Sequence, residues 1–275
     1  MKWPAFFICF AYFILTYGPM PQARAGTISM KVRVTLAVKR DFIRVNIQTT
    51  NAGNETARQV YATLSIFDRT LQSSPVDKLV PGSKQPFRFF VPIPSGKQGV
   101  FLFVGEVFFS DKRYSPFSAL SAGTFRLKSR KPPALSGDVP GVRIKDRGKL
   151  KVMVQNPEQK SKTIKLTLHM PKALKTPEPR KTIRVPGGGS AVVYYPIAAR
   201  YVSEAAVYPV FCSLQYDEDR GQHQTVLVRS TVKTETPVNW FVKTRWYWLA
   251  AGVLLALAHG AGRIAQRDEI VNSEQ

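Results

Sequence analysis

The chain has 275 residues, 44% hydrophobic and 21% charged, with a formal net charge of +22 at pH 7. That length holds one large domain or two of ordinary size, and a composition of this kind excludes a disordered or fibrous chain. So strong a positive charge either keeps a surface solvated or serves an anionic partner.

Residues 1–25 read as a secretory signal. Lys2 gives a positive start, Phe6 to Tyr17 is an apolar run, and Pro19 and Pro21 break any helix. Ala23-Arg24-Ala25 then presents small residues to a signal peptidase. With the signal goes Cys9, leaving Cys212 as the only thiol and no internal disulfide. An exported protein without a disulfide must be stable from its cores alone. Cys212 shares parity with Val210 and Leu214, so it reads as a buried small hydrophobe rather than a nucleophile.

From residue 26 to 128 the pattern has period two, which predicts half-buried strands. Met30, Val32, Val34, Leu36 and Val38 alternate with polar residues. Ile43, Val45 and Ile47 share one face, as do Val60, Ala62, Leu64 and Ile66. Residues 129–140, rich in Pro, Gly and Lys, read as a linker between two domains. Alternation resumes over 141–236, with Leu150, Val152 and Val154, then Ile164, Leu166 and Leu168, then Val192 and Tyr194, then Val210, Cys212 and Leu214, then Val226 and Val228. The expected fold is all-β: two tandem β-sandwiches.

The halves repeat. Asn51 pairs with Asn156, Pro81 with Pro186 and Gly82 with Gly187, an offset of about 105 residues and one sandwich long. Gly187-Gly188-Gly189 could be taken for a phosphate loop, but Ser190 opens the strand-like Ala-Val-Val-Tyr-Tyr, whereas a phosphate loop needs Lys-Ser/Thr and a helix. A turn is expected, because Gly tolerates positive φ after a proline corner.

The turn order resembles CARDB-like bacterial immunoglobulin-type domains: a strand, an Asn-x-Gly turn, an alternating strand, a Pro-Gly turn, and a last hairpin with an acidic turn. Asn51, Gly53, Val60, Pro81, Gly82 and Asp111 carry it, and the second copy departs at Asn156-Pro157-Glu158, which lacks the Gly. The resemblance implies immunoglobulin-like sandwiches used in adhesion or assembly, and brings no catalytic residue.

Residues 246–264 read as a transmembrane helix, uncharged to Gly262, opened by Trp246, Tyr247 and Trp248 and followed by Arg263 and Arg267. With the signal setting orientation, the bulk of the chain is expected outside a bacterial inner membrane and 265–275 inside. Gly252, Ala256 and Gly260 recur every four residues, a row that lets another helix approach closely.

Candidate chemistry is sparse. His169, His223 and His259 show no paired ligand spacing, no cofactor motif is present, and Asp217, Glu218 and Asp219 read as a solvated hairpin turn. The densest basic run places Arg126, Lys128, Arg130 and Lys131 at the linker, the expected contact for an anionic partner. The expectation is a non-enzymatic, membrane-anchored protein that binds membrane proteins of an envelope complex. Acidic polysaccharide, anionic lipid or the subunit of a tethered periplasmic chaperone are alternatives; nucleic acid fits the charge but not the location.

Overall fold

A computed structural model describes residues 28–200, 206–218, 221–235 and 247. From 28 to 235 the described chain is all-β. The first half forms β1 (Met30–Val38), β2 (Phe42–Asn51), β3 (Ala57–Ile66), β4 (Arg69–Gln72), β5 (Val76–Leu79), β6 (Lys84–Pro92), β7 (Gly99–Ser110) and β8 (Pro116–Leu127). The second forms β9 (Ser136–Asp138), β10 (Val142–Ile144), β11 (Arg147–Gln155), β12 (Lys162–His169), β13 (Leu174–Lys175), β14 (Arg180–Val185), β15 (Ser190–Ala199), β16 (Val207–Asp217) and β17 (His223–Thr234).

Each half is a sandwich of a small and a large sheet. The small sheets are ordered β1-β2-β6 and β13-β15-β11-β9. The large sheets hold β3, β4, β5, β7 and β8, and then β10, β12, β14, β16 and β17. The strand after the Asn turn, β3 in the first half and β12 in the second, crosses to the opposite sheet, an arrangement consistent with an immunoglobulin-like sandwich. Period-two alternation sets the inward faces: Ile43, Val45 and Ile47 in the first core and Leu150, Val152 and Val154 in the second have no exposed surface. Each such side chain contributes about 1.5–3 kcal/mol by leaving water.

The repeat is physical. Asn51 and Asn156 are both buried where the small sheet crosses to the large one. The Asn51 amide donates to Glu55 O at 2.8 Å and Leu79 O at 2.9 Å, and its Oδ1 accepts from Gly53 N at 3.1 Å. The Asn156 amide donates to Lys160 O at 2.8 Å and Pro186 O at 3.1 Å, and its Oδ1 accepts from Glu158 N at 3.2 Å. Each side chain staples its own turn to the following Pro-Gly turn. An Asx turn needs only the side-chain oxygen and the amide two residues on, so the second copy keeps the motif without a glycine.

The glycine triplet is a turn, closed by Gly189 N donating to Pro186 O at 3.2 Å, and it opens β15. Its partner closes from Ser83 N to Val80 O at 3.1 Å. Gly82 has φ 78°, and the residue in the matching place is Gly188, with φ 63°, not Gly187. The two turns are equally long, and the extra residue of the second copy lies before its turn, after β12 has begun, so the offset grows from 105 to 106. The consequence reaches β15: Val193, Tyr195 and Ile197 face the core, while Val192 and Tyr194, expected inside, are 48% and 53% exposed. A one-residue shift moves every side chain of a strand to the other face.

The stretch read as a linker is partly built into the second sandwich. Residues 136–138 pair with β11 as β9, and Leu135 and Val139 belong to the second core. The signal segment 1–25, the cytoplasmic tail 265–275 and, Tyr247 apart, the 246–264 span lie outside the described residues. Among the described residues no helix is long and apolar enough to cross a membrane.

Candidate functional site

The two sandwiches pack through matching surfaces. Val104 on β7 and Leu120 on β8 face away from the first core and meet Phe211 on β16 and Leu227 on β17. By hairpin register Val104 corresponds to Phe211 and Leu120 to Leu227: β7 pairs β8 as β16 pairs β17, shifted by about 107 residues. The backbones touch where His223 N donates to Gln98 O at 3.1 Å. Gly99 makes this approach possible. A Cβ there would lie 1.9 Å from His223 O, and its φ is 129°. The His223 ring stacks on Phe101 at 5.1 Å, and Lys172 lies 4.8 Å over the Phe108 ring. Beneath Lys172, burial raises the Glu106 carboxyl above its usual range, opposed by a hydrogen bond from Ser118. The outer faces of β7, β8, β16 and β17 are thus committed to the domain junction.

Among the described residues nothing covers the outer faces of the small sheets. No acidic residue lies on β1, β2 or β6. Five cations do: Lys31, Arg33, Arg44, Lys84 and Arg88, all exposed, none in an ion pair within the described residues. Even positions of β2 and β6 and odd positions of β1 point outward, so register lays these residues in rows. Ala37, Arg44 and Phe90 form one, Thr35, Asn46 and Arg88 the next, Arg33, Gln48 and Pro86 the third, Lys31, Thr50 and Lys84 the last. Phe90 is 62% exposed and tilts against Phe42 with ring centroids 6.0 Å apart. An open depression of about 580 Å³ runs between the first two rows.

The second small sheet repeats the theme. Arg147, Lys149 and Lys151 on β11 are exposed beside Val192 and Tyr194 on β15, with Lys175 at the sheet's edge and Asp138 on β9 as its one acid. Acids concentrate elsewhere, at the turns and edges of the second large sheet. There Lys131 meets Glu218 at 2.7 Å and Glu158 at 3.7 Å, and Lys162 meets Glu158 at 2.8 Å.

That pairing divides the basic run singled out in the sequence. Lys131 spends its charge tying residues 129–135 to the second sandwich, and its ammonium is held above its usual pKa by the Glu218 hydrogen bond. Arg126 lies exposed on β8, Lys128 follows it at φ 49°, and Arg130 is exposed; none has an ion pair within the described residues. Alternation in the sequence already places Lys31 and Arg33, and Lys149 and Lys151, on outer sandwich faces, but the cations that join Lys31 and Arg33 on one face are scattered over about sixty positions. Only strand register gathers them. Gly252, Ala256 and Gly260 lie outside the described residues.

Other reactive side chains are sequestered. The Cys212 thiol is buried and pushed up to about 12 by desolvation. His169 Nε2 lies 3.0 Å from Ser213 Oγ, and burial and the Arg180 charge lower its pKa to about 4. His223 bridges Asp217 at 2.9 Å and Thr225 at 3.3 Å. The Ser213 and Thr225 side chains are at most 1% exposed, out of reach of a substrate. Among the described residues no group of three His, Cys, Asp or Glu side chains could hold a metal ion.

No protein-family model matches the chain, and no curated protein matches it in sequence. Among solved structures it is similar to a red sea bream transglutaminase at 13% identity, covering 78% of this chain and 32% of that one, with a TM-score of 0.27. It is also similar to a Salmonella alpha-2-macroglobulin mutant at 8% identity, 76% and 16% coverage and a TM-score of 0.32. An Escherichia coli alpha-2-macroglobulin activated by porcine elastase gives 10% identity, 79% and 22% coverage and a TM-score of 0.31. The chain spans less than a third of the length of each.

Proposed function

We propose that this protein is a non-catalytic, membrane-tethered docking protein of the bacterial cell envelope, binding an anionic partner through the outer face of β1, β2 and β6. The observation that carries this reading is five exposed cations without one acid on those strands. Like charges gathered on one face repel one another, and an anionic partner relieves that repulsion. The signal and span read from the sequence put this face outside the membrane, and the helix row of Gly252, Ala256 and Gly260 would recruit membrane proteins of the same complex. The domain junction supports the reading from the other side. It takes up the outer faces of β7, β8, β16 and β17 and leaves the small sheets of both sandwiches uncovered among the described residues.

The test is a salt titration of the full-length protein binding to immobilised acidic polymer and to native envelope extract. Screening between exposed charges grows as ionic strength rises. Retention at low salt and release at high salt is the expected result; binding indifferent to salt would remove the electrostatic basis of the proposal.

A further inference from the structure

The depression on the first sandwich holds more than charge, and its chemistry narrows the partner. We infer that it is a binding site for an acidic glycan, a chain of sugar rings carrying carboxylates; this rests on the docking function proposed above. Its lining includes Thr35, Arg44, Asn46, Arg88 and Phe90, and its volume of about 580 Å³ falls in the range of small-ligand sites. Arg44 stands across from Phe90 and Arg88 across from Asn46, so the two guanidinium groups sit diagonally on neighbouring strands. Planar forks at that spacing suit carboxylates, singly or on successive rings. The exposed Phe90 ring offers an apolar flat against which one face of a sugar ring packs.

Two features set a glycan apart from other anions. The first is the amide of Asn46. Its Oδ1 is shielded from solvent and has no hydrogen-bond partner. A phosphate or a carboxylate brings no donor to satisfy it, whereas a sugar hydroxyl does once the amide turns toward the depression. The second is shape. The cations flank an exposed aromatic ring in an open hollow on the flat of a sheet, where an extended chain of sugar rings can lie with a carboxylate at each guanidinium.

The experiment uses the full-length protein in nanodiscs of zwitterionic lipid and four probes: an oligogalacturonate, its methyl ester, inorganic polyphosphate, and phosphatidylglycerol vesicles. The oligogalacturonate is expected to bind and the methyl ester, which lacks the charge, to bind far more weakly. Arg44→Gln with Arg88→Gln should weaken oligogalacturonate binding by about tenfold or more. Phe90→Ala should weaken it by about fivefold while leaving polyphosphate binding unchanged, and Phe90→Trp should restore it. Phe90 is exposed, so these variants keep the core. Oligogalacturonate binding insensitive to Phe90→Ala, or weaker than vesicle or polyphosphate binding, overturns the glycan assignment and leaves anionic docking standing. Absence of salt-sensitive binding to all four probes overturns both.

Discussion

In the first sandwich β1 stays beside β2 for nine residues, whereas in the second the matching stretch gives three residues to β11, bends at Pro140-Gly141, and gives three more to β17. Proline donates no ladder hydrogen bond, so it ends a strand in the interior of a sheet. The bend changes what each sandwich offers. Uninterrupted, β1 widens the first small sheet and adds Lys31 and Arg33 to its outer face. Interrupted, β10 seats Ile144 in the second core, 3% exposed, and β11 loses a neighbour along most of its length. One dipeptide thus separates a broad cationic flat from a narrower one.

The comparison can be broken at the turns first. In the second copy a Cβ on Gly187 would lie 1.7 Å from Gln159 O, although the matching place in the first copy, Pro81, carries a Cβ already. A Cβ on Gly82, as on its match Gly188, meets nothing within 4 Å, and at Gly82 only the φ of 78° is strained. Gly187→Ala should cost about 4 kcal/mol and Gly82→Ala about 1 kcal/mol, read by denaturant unfolding. Equal costs would mean that the two turns are not built as described. The first strands offer the next contrast. Ile144→Ala should cost about 3 kcal/mol and Leu36→Ala, half-exposed at the β1 edge, about 1 kcal/mol.

Acid should separate the halves as well. His169 stays neutral in the folded protein down to about 4, while in the unfolded chain it takes a proton near 6.5. Below 6.5 the unfolded state binds more protons, so stability falls with pH, by about 2 kcal/mol between pH 7 and 5, and the loss stops growing near 4. The first sandwich has Ser65 at the matching place, by the register of β3 with β7 and of β12 with β16. Hydrogen exchange should therefore show the second core weakening first on acidification, and His169→Gln should remove the difference.

Most of the fold was legible from alternation, because Ile43, Val45 and Ile47 or Leu150, Val152 and Val154 stand alone between polar neighbours. The face of β15 was not, because Ala-Val-Val-Tyr-Tyr is apolar at both parities and only an extra residue upstream of the turn, invisible to pattern, decides which parity faces in. The Asn51 and Asn156 staples were legible as a repeat but not as hydrogen-bond centres. The candidate site was the least legible part. A dense run such as Arg126 to Lys131 stands out in sequence, yet one of its charges is already neutralised, while the acid-free face is assembled from the hairpin of β1 and β2 and the distant β6.

Two variants of the full-length protein, compared for salt-sensitive retention on native envelope extract, test the docking claim most directly. One removes Arg33, Arg44 and Arg88 from the sheet face; the other removes Arg126, Lys128 and Arg130 from the linker region, each set changed to Gln so that the loss of charge is equal. If the sheet face docks the partner, the first variant loses about tenfold or more in affinity and the second loses only its share of long-range attraction, a few-fold at low salt. Equal losses, or a larger loss from the linker variant, would contradict docking through β1, β2 and β6.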